Sequence, residues 1–415
     1  MRDAERFGAG DVRMHGFSQR SEVGAALDWI DVHATRLGNE SAPLEGASGR
    51  TLGSDVIAPL DVPGFDRAAM DGYALNGAET SGASEYNPIS FTLRGQALPG
   101  QPFSGDMQPG SAIRIMTGAP VPDGTDAVVP AEYASERSGE IVITRAVAPG
   151  QHVGHRGEDI RDGSPALRAG RRLRPQDVGL VASLGLSHVT VVRQPRVRIV
   201  VTGHEVVVPG AKKDPYQIYD ANSYMLRGLI KRDEGVLEAQ YRTGDARDVI
   251  RTALVNPGAD VILVSGGSSV GSEDYAPQLV AELGELAIHG VAMRPSSPAG
   301  MGRIGEALVF LLPGNPVSCL CAYDFFAGRA IRLRGGQSPE WPHRTHRATV
   351  ARKIVSAIGR ADYCRVRLVD GAVEPIALSG ASVLSSTTRA DGFVIVPSES
   401  EGYGPGTEVT VYLYD

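Results

Sequence analysis

The sequence predicts a multidomain chain of the α/β and β classes: a parallel α/β domain, a β-rich inserted domain and a small C-terminal β domain. Three observations predict it. Between Val197 and Leu333, apolar strand-like runs alternate with helical spacing, the pattern of a parallel sheet covered on both faces. Across residues 53–190, short strands are punctuated by Gly and Pro, with turns at PGQPFSGD, PDGTD, PGQH and RDGS. After Gly335–Gly336 short strands return. At 415 residues the chain is also longer than one hydrophobic core usually fills.

Taken in order, residues 21–37 read as a helix, because Val23, Leu27, Ile30 and Leu37 recur at helical spacing and Ser21 suits the N-cap. Residues 197–201 are a continuous β-branched run and read as a buried strand, followed by a TGHE loop. A helix over 223–237, a short strand and a helix near 248–254 come next. Residues 260–264 are a second buried strand, and 275–283 a helix. A strand over 308–312 leads into a helix over 316–333. Residues 337–343 read as a linker, and 345–356, 364–368, 392–397 and 408–414 as strands. Parallel sheets bind ligands at the carboxyl ends of their strands, so the loops there are the first candidates for a site.

Bulk properties narrow the function. A net charge of -7 disfavours nonspecific nucleic-acid binding. No run approaches the roughly 20 apolar residues of a membrane helix, and the N-terminal stretch lacks the apolar centre of a signal peptide. Cys319, Cys321 and Cys364 form no metal-type spacing, and three thiols fit a reducing compartment. A cytoplasmic protein without nucleic-acid or membrane partners is therefore expected. The 9 histidines include no H-x-x-x-H pair, so no zinc site is expected. A dehydrogenase is disfavoured because SGGSSVG lacks the G-x-G-x-x-G spacing.

The loops carry the chemistry. In SGGSSVGSEDY (residues 265–275), Gly266 and Gly267 let backbone N–H groups approach an anion, and Ser268 and Ser269 add hydroxyls. Asp274 beside an anion calls for a bridging cation, with Mg²⁺ the natural choice. The same residues also suit a tight strand-to-helix turn with a capping Asp. In LLPGNPVSCL (residues 311–320), Pro316 suits a first helical turn and Asn315 its cap. VVTGHEVVVPG contributes Thr202 and Glu205, and QIYDANSYML contributes Asp220 and Asn222. These polar groups suit a cation or a ligand, and equally suit caps and solvated loops. In the β-rich region, FDRAAMDGYAL, RIMTGAPVPDGTDAVVPAE and RGEDI place Asp66, Asp71, Thr117, Glu158 and Asp159 at turns.

In this order, PGFDRAAMDGYA, RIMTGAPVPDGTDAVV, RGEDI, TGHE, QIYDAN, SGGSSVGSEDY and LPGNPVS resemble one family: MoeA and the gephyrin E domain, the molybdopterin molybdenumtransferases. The resemblance implies an elongated four-domain subunit ending in a small barrel-like β domain. It implies a molybdopterin-binding α/β domain at 16–38 plus 191–333, and a connecting β domain at 39–56 plus 163–190. The inserted domain is then 57–162 and the C-terminal domain 334–415. The implied reaction inserts molybdate into adenylylated molybdopterin and releases AMP with Mg²⁺. The implied assembly is a homodimer with a shared active site, with a molybdopterin adenylyltransferase and molybdoenzyme-maturation factors as further partners.

Residue by residue, the resemblance assigns substrate binding to Asp220, Ser265, Gly266, Gly267, Ser268, Ser269, Gly271, Arg294, Ser297, Pro313, Gly314, Asn315, Pro316 and Ser318. It puts Glu205 and Asp274 at the metal and phosphates. Asp71, Thr117 and Asp159 are then catalytic residues from the partner subunit. The chain departs from the family pattern at one notable place. Where the family has M-K-P-G-K-P, residues 293–298 read MRPSSP, so Ser296 and Ser297 replace Gly and Lys. Arg294 keeps one positive charge, and Arg360 and Arg365 are further cationic candidates. An altered oxyanion choice, such as tungstate, and a noncatalytic molybdopterin carrier or scaffold are the alternative readings.

Overall fold

The computed structural model describes residues 20–267, 274–377 and 380–414. The chain forms two compact units. One holds residues 1–40, 49–51 and 191–415, the other 41–48 and 52–190.

The first unit is built on a six-stranded sheet. Its strands are β1 (Arg196–Val201), β2 (Val236–Arg242), β3 (Val261–Ser265), β4 (Glu285–His289), β5 (Gly300–Ile304) and β6 (Ala307–Leu312). Their spatial order is β2-β1-β3-β6-β5-β4. The first four in that order run parallel, while β5 is antiparallel to both β6 and β4. The apolar runs explain the centre. Every residue of β3 is buried, because both faces of the sheet are covered. Ile199, Leu263 and Phe310 face one apolar cluster, and Val200, Ile262 and Val309 the other. Burying each such side chain contributes on the order of 1.5–3 kcal/mol.

Several boundaries differ from expectation. The first helix is Val23–His33, with Glu22 at the N-cap. Ser21 is taken instead into a bridge with Val291. Beyond His33 the chain leaves the helix, and the Leu37 amide donates to the Arg334 carbonyl. The helix expected over 223–237 is Asn222–Arg232. It stops where Glu234 turns left-handed at φ 60 and Gly235 opens β2. The expected antiparallel edge was missing altogether, since β4 and β5 are short and carry glycines.

The C-terminal region of this unit is a closed five-stranded barrel. Around it run Ala361–Val369, Ala372–Ala377, Thr345–Val350, Glu408–Leu413 and Gly392–Val396, and the last pairs back with the first. The strand at 372–377 was not legible because Pro375 interrupts it. Phe393 stacks on Tyr363 at 4.2 Å between ring centroids, filling the contact between barrel and helices with aromatic surface. A two-residue strand, Met293–Arg294, joins the barrel in parallel with Ala361–Asp362.

The second unit contains a six-stranded sheet in the order Ala127–Pro130, Gly72–Leu75, Ser111–Ile115, Ile89–Ala97, Glu140–Ile143 and Ala134–Arg137. Phe91, Ile141 and Val129 pack on one face, and Ile113, Ile115 and Val128 on the other. The expected run of strands across 53–190 is broken by a helix, Pro175–Ser183. Proline stands in its first turn, and the buried Asp177 carboxylate accepts the Arg174 amide at 2.9 Å and holds the Arg171 and Arg174 guanidiniums. No helix among the described residues is long and apolar enough to cross a membrane.

Candidate active site

Three parallel strands end side by side, and their loops lean on one another. Past β1, the Thr202 amide donates to the Ser265 carbonyl at 3.0 Å. Past β3, the Gly266 amide donates to the Leu312 carbonyl at 3.1 Å. Gly266 and Gly267 are left-handed, with φ of 93 and 55. A Cβ on Gly266 would lie 2.8 Å from the Thr202 hydroxyl and 3.0 Å from its carbonyl oxygen, so no larger residue fits without displacement. On the other side, a Cβ on Gly314 would come within 3.6 Å of the Gly266 backbone.

Asn222 fastens this arrangement. Its buried amide nitrogen donates to the Ser265 hydroxyl at 2.9 Å and to the Gly314 carbonyl at 2.8 Å. Its carbonyl oxygen Oδ1 is buried without a hydrogen-bond partner, and so is the Thr202 hydroxyl. Two unsatisfied polar atoms beside glycine backbone are costly in a resting core and useful in a ligand cradle. Asn222 was absent from the expected site residues. Its signal was present in the QIYDAN stretch, where Asp220 drew attention instead. Asp220 is buried and serves the local fold: it accepts the Ser223 amide at 2.9 Å and the Ser223 hydroxyl at 2.5 Å, with Arg242 3.4 Å away.

Glu205 folds over the left-handed Gly203, where a Cβ would meet its carboxylate at 2.6 Å. The preceding residue, His204, donates its amide to Asp245 at 3.0 Å. Asp274 precedes the Tyr275–Leu283 helix without a side-chain cap bond to it. Its Oδ1 lies 3.7 Å from the Cβ position of Gly267, which is also 2.9 Å from the Thr202 hydroxyl. Ser268, Ser269 and Gly271 lie outside the described residues. Among the described residues no group of three or more His, Cys, Asp or Glu side chains forms a metal cage. Two carboxylates at an anion cradle nevertheless suit magnesium, which is commonly held by one or two carboxylates plus substrate phosphates.

A cavity of about 810 Å³ opens in the same unit, lined by residues 292–298, Pro313, Asn315, Ser318, Arg20, residues 357–360, Gly380 and Ala381. Asn315 occupies the N-cap position of the Pro316–Ala322 helix, yet its side chain makes no cap bond and lines this cavity. Ser318 lends its carbonyl to the Ser296 hydroxyl at 2.5 Å. Ser296 itself is left-handed, φ 86, a conformation that favours glycine. The Ser297 hydroxyl is buried without a partner. Arg294 forks onto the fully buried Asp362, which also accepts the Ser356 hydroxyl at 2.7 Å and lies 3.4 Å from Arg360 Nε. Arg365 is fully buried and does not line the cavity.

The remaining expected residues belong to the second unit. Asp71 accepts both the amide and the hydroxyl of Thr117 at 2.7 Å, and these bonds hold its carboxyl below the usual range. The Arg156 amide does the same for Asp66, helped by His155. Asp159 is exposed, with its amide donating to the Val62 carbonyl at 3.1 Å. Glu158 accepts the His155 amide at 3.0 Å and faces Arg67 at 3.5 Å.

Comparison with known proteins fits this arrangement along the whole chain. Residues 21–185 match the MoeA N-terminal region (domains I and II), 198–332 a probable molybdopterin binding domain, and 347–414 the MoeA C-terminal region (domain IV). Molybdopterin molybdenumtransferase 2 of Mycobacterium tuberculosis is 34% identical over 385 residues, covering 90% of this chain and 94% of its own. The chain belongs to the MoeA family. Other members are similar: the molybdopterin molybdenumtransferase of Haemophilus influenzae is 30% identical, over 89% of this chain and 92% of its own. The crystal structure of the Pyrococcus horikoshii MoeA protein superposes with a TM-score of 0.82 at 32% identity, covering 96% of this chain and 100% of that one. The matched binding-domain region contains the Thr202, Gly266, Asn222 and Gly314 cradle, and the family's domain IV supplies Arg360 and Asp362 to the cavity.

Proposed function

We propose that this MoeA-family enzyme inserts molybdate into adenylylated molybdopterin and releases AMP, a step of molybdenum-cofactor biosynthesis. The observation that carries the reading is the pairing, within one unit, of a glycine-backed anion cradle with an arginine-lined cavity large enough for a pterin-sized ligand. Gly266 and Gly267 let phosphate oxygens reach backbone amides, as glycine loops at strand ends do. The Thr202 hydroxyl and the Asn222 carbonyl are preset to orient polar groups of the ligand, because nothing in the protein occupies them. Arg294, fixed by Asp362, presents its remaining N–H donors to a tetrahedral oxyanion. Magnesium, when bound, neutralises charge on the phosphate oxygens, and Glu205 and Asp274 are the carboxylates that would hold it. Asp71, Thr117 and Asp159 then act from a second copy of the chain in a homodimer. Size measurement in solution checks that assembly.

The decisive experiment incubates the purified protein with Mg²⁺, molybdate and adenylylated molybdopterin and measures AMP. Release at a rate comparable to that of another family member supports the reading. Absence of release beside an active control overturns it. Serine at position 297 favours a second reading, an altered oxyanion choice, and competition of tungstate with molybdate in the same assay separates the two.

A further inference from the structure

The lysine that the family pattern places at position 297 is a serine here, yet the cavity is not short of positive charge. Arg20, Arg294 and Arg360 line it, and no carboxylate does among the described lining residues. The one acidic group in contact with these arginines, Asp362, is fully buried beneath them. The parallel register of Met293–Arg294 against Ala361–Asp362 pairs Arg294 with Asp362, so Arg360 stands two residues along the same barrel segment. Arg294 spends its Nε and one terminal nitrogen on that carboxylate. Arg360 reaches the same carboxylate only through Nε at 3.4 Å, which leaves its terminal nitrogens uncommitted to Asp362. Its side chain is 37% exposed. The orphaned Ser297 hydroxyl lines the same cavity.

We infer that Arg360 grips the tetrahedral oxyanion in this cavity in place of an ammonium at position 297, with Asp362 holding the Arg294 and Arg360 guanidiniums in a shared orientation. The inference rests on the proposed reaction for the identity of the anion. It differs from that reading in placing the grip on the barrel rather than on the 293–298 segment. Guanidinium suits the task, since its planar fork binds two oxyanion oxygens at once, whereas an ammonium acts as a point charge. The Ser297 hydroxyl adds one donor to the same anion.

A charge-transfer cycle between the two positions tests this, using the full chain and molybdate alone as the calorimetric probe at low ionic strength, with the molybdate KM for AMP release alongside. Arg360→Gln should weaken molybdate binding at least ~10-fold, the loss of one charged, bidentate contact. Ser297→Lys in the natural chain should tighten it less than ~3-fold, because the cation is already supplied. Ser297→Lys added to Arg360→Gln should recover most of the loss, to within ~3-fold of the natural protein. Thermal melting of Arg360→Gln confirms folding. Unchanged binding in Arg360→Gln, or a tenfold gain from Ser297→Lys alone, overturns the inference. Molybdate binding that follows the cycle without any AMP release would preserve the grip and remove the reaction. AMP release with a KM indifferent to Arg360→Gln would do the reverse.

Discussion

Two stretches of the same unit each place a left-handed residue at the candidate site, and they solve the strain differently. At the end of β3, Gly266 carries φ 93 against Thr202, and any Cβ would collide with it. In the 293–298 stretch, Ser296 carries φ 86 and its hydroxyl donates to the Ser318 carbonyl. The first device works by the absence of a side chain, so that backbone can meet a ligand. The second works by a compensating bond, and its surroundings are held by a charge cluster around Asp362. The cradle should therefore tolerate almost no substitution, while the cavity should tolerate changes that keep its charge arrangement.

Four experiments sharpen or break that contrast. Gly266→Ala carries the largest expected effect: about 2–3 kcal/mol of strain and clash, with AMP release reduced ~100-fold by displacement of the loop. Near-natural turnover in that variant would mean the loop is not the cradle. Asn222→Ala removes two bonds that tie Ser265 to Gly314, and should cost about 2 kcal/mol in denaturant unfolding together with a raised KM for the pterin substrate. Ser296→Gly relieves a left-handed serine but loses one hydrogen bond, so its stability should change by less than about 1 kcal/mol. A loss matching that of Gly266→Ala would show that the two stretches are not different after all.

The smallest effect concerns the thiols that lie behind both stretches. Cys319 sits under Ser265, and burial pushes its thiol up to about 12. Burial also raises the thiol of Cys321, near Ser296, and takes Cys364 in the barrel up to about 12. An acid whose pKa is raised stays protonated until the pH approaches that value. All three thiols should therefore resist a thiolate-selective reagent in the native protein through pH 9 and react only on unfolding. A rapidly reacting native thiol would place one of these segments on the surface.

Much of the cradle was readable in advance. Gly266, Gly267, Gly314 and Glu205 stand in loops whose neighbours are continuous apolar strands, and β-branched runs of that kind specify parallel strands through local pattern alone. Asp71 and Thr117 were flagged as separate turn residues, and they prove to be bonded across 46 positions. Nothing in the sequence spacing announced that bond. Asp220 and Asn222 share one short stretch, yet one caps a helix and the other bolts two loops together, a division made only by which groups come within hydrogen-bond reach. The Pro175–Ser183 helix was hidden because Gly179 lies inside it and propensity weighs against glycine there.

The sequence by itself determined the family, the run of parallel strands, the glycines at their ends and the replacement of lysine by serine at position 297, because these rest on residue identity and short-range periodicity. Tertiary structure alone decided that Arg294 and Asp362, 68 positions apart, form one buried ion pair, and that Arg360 lines the cavity where the lysine is missing. It also decided that the last strands close into a barrel. Charge pairing and strand closure depend on which distant segments are brought into contact, and contact between distant segments is fixed by packing of the whole unit rather than by any window of sequence.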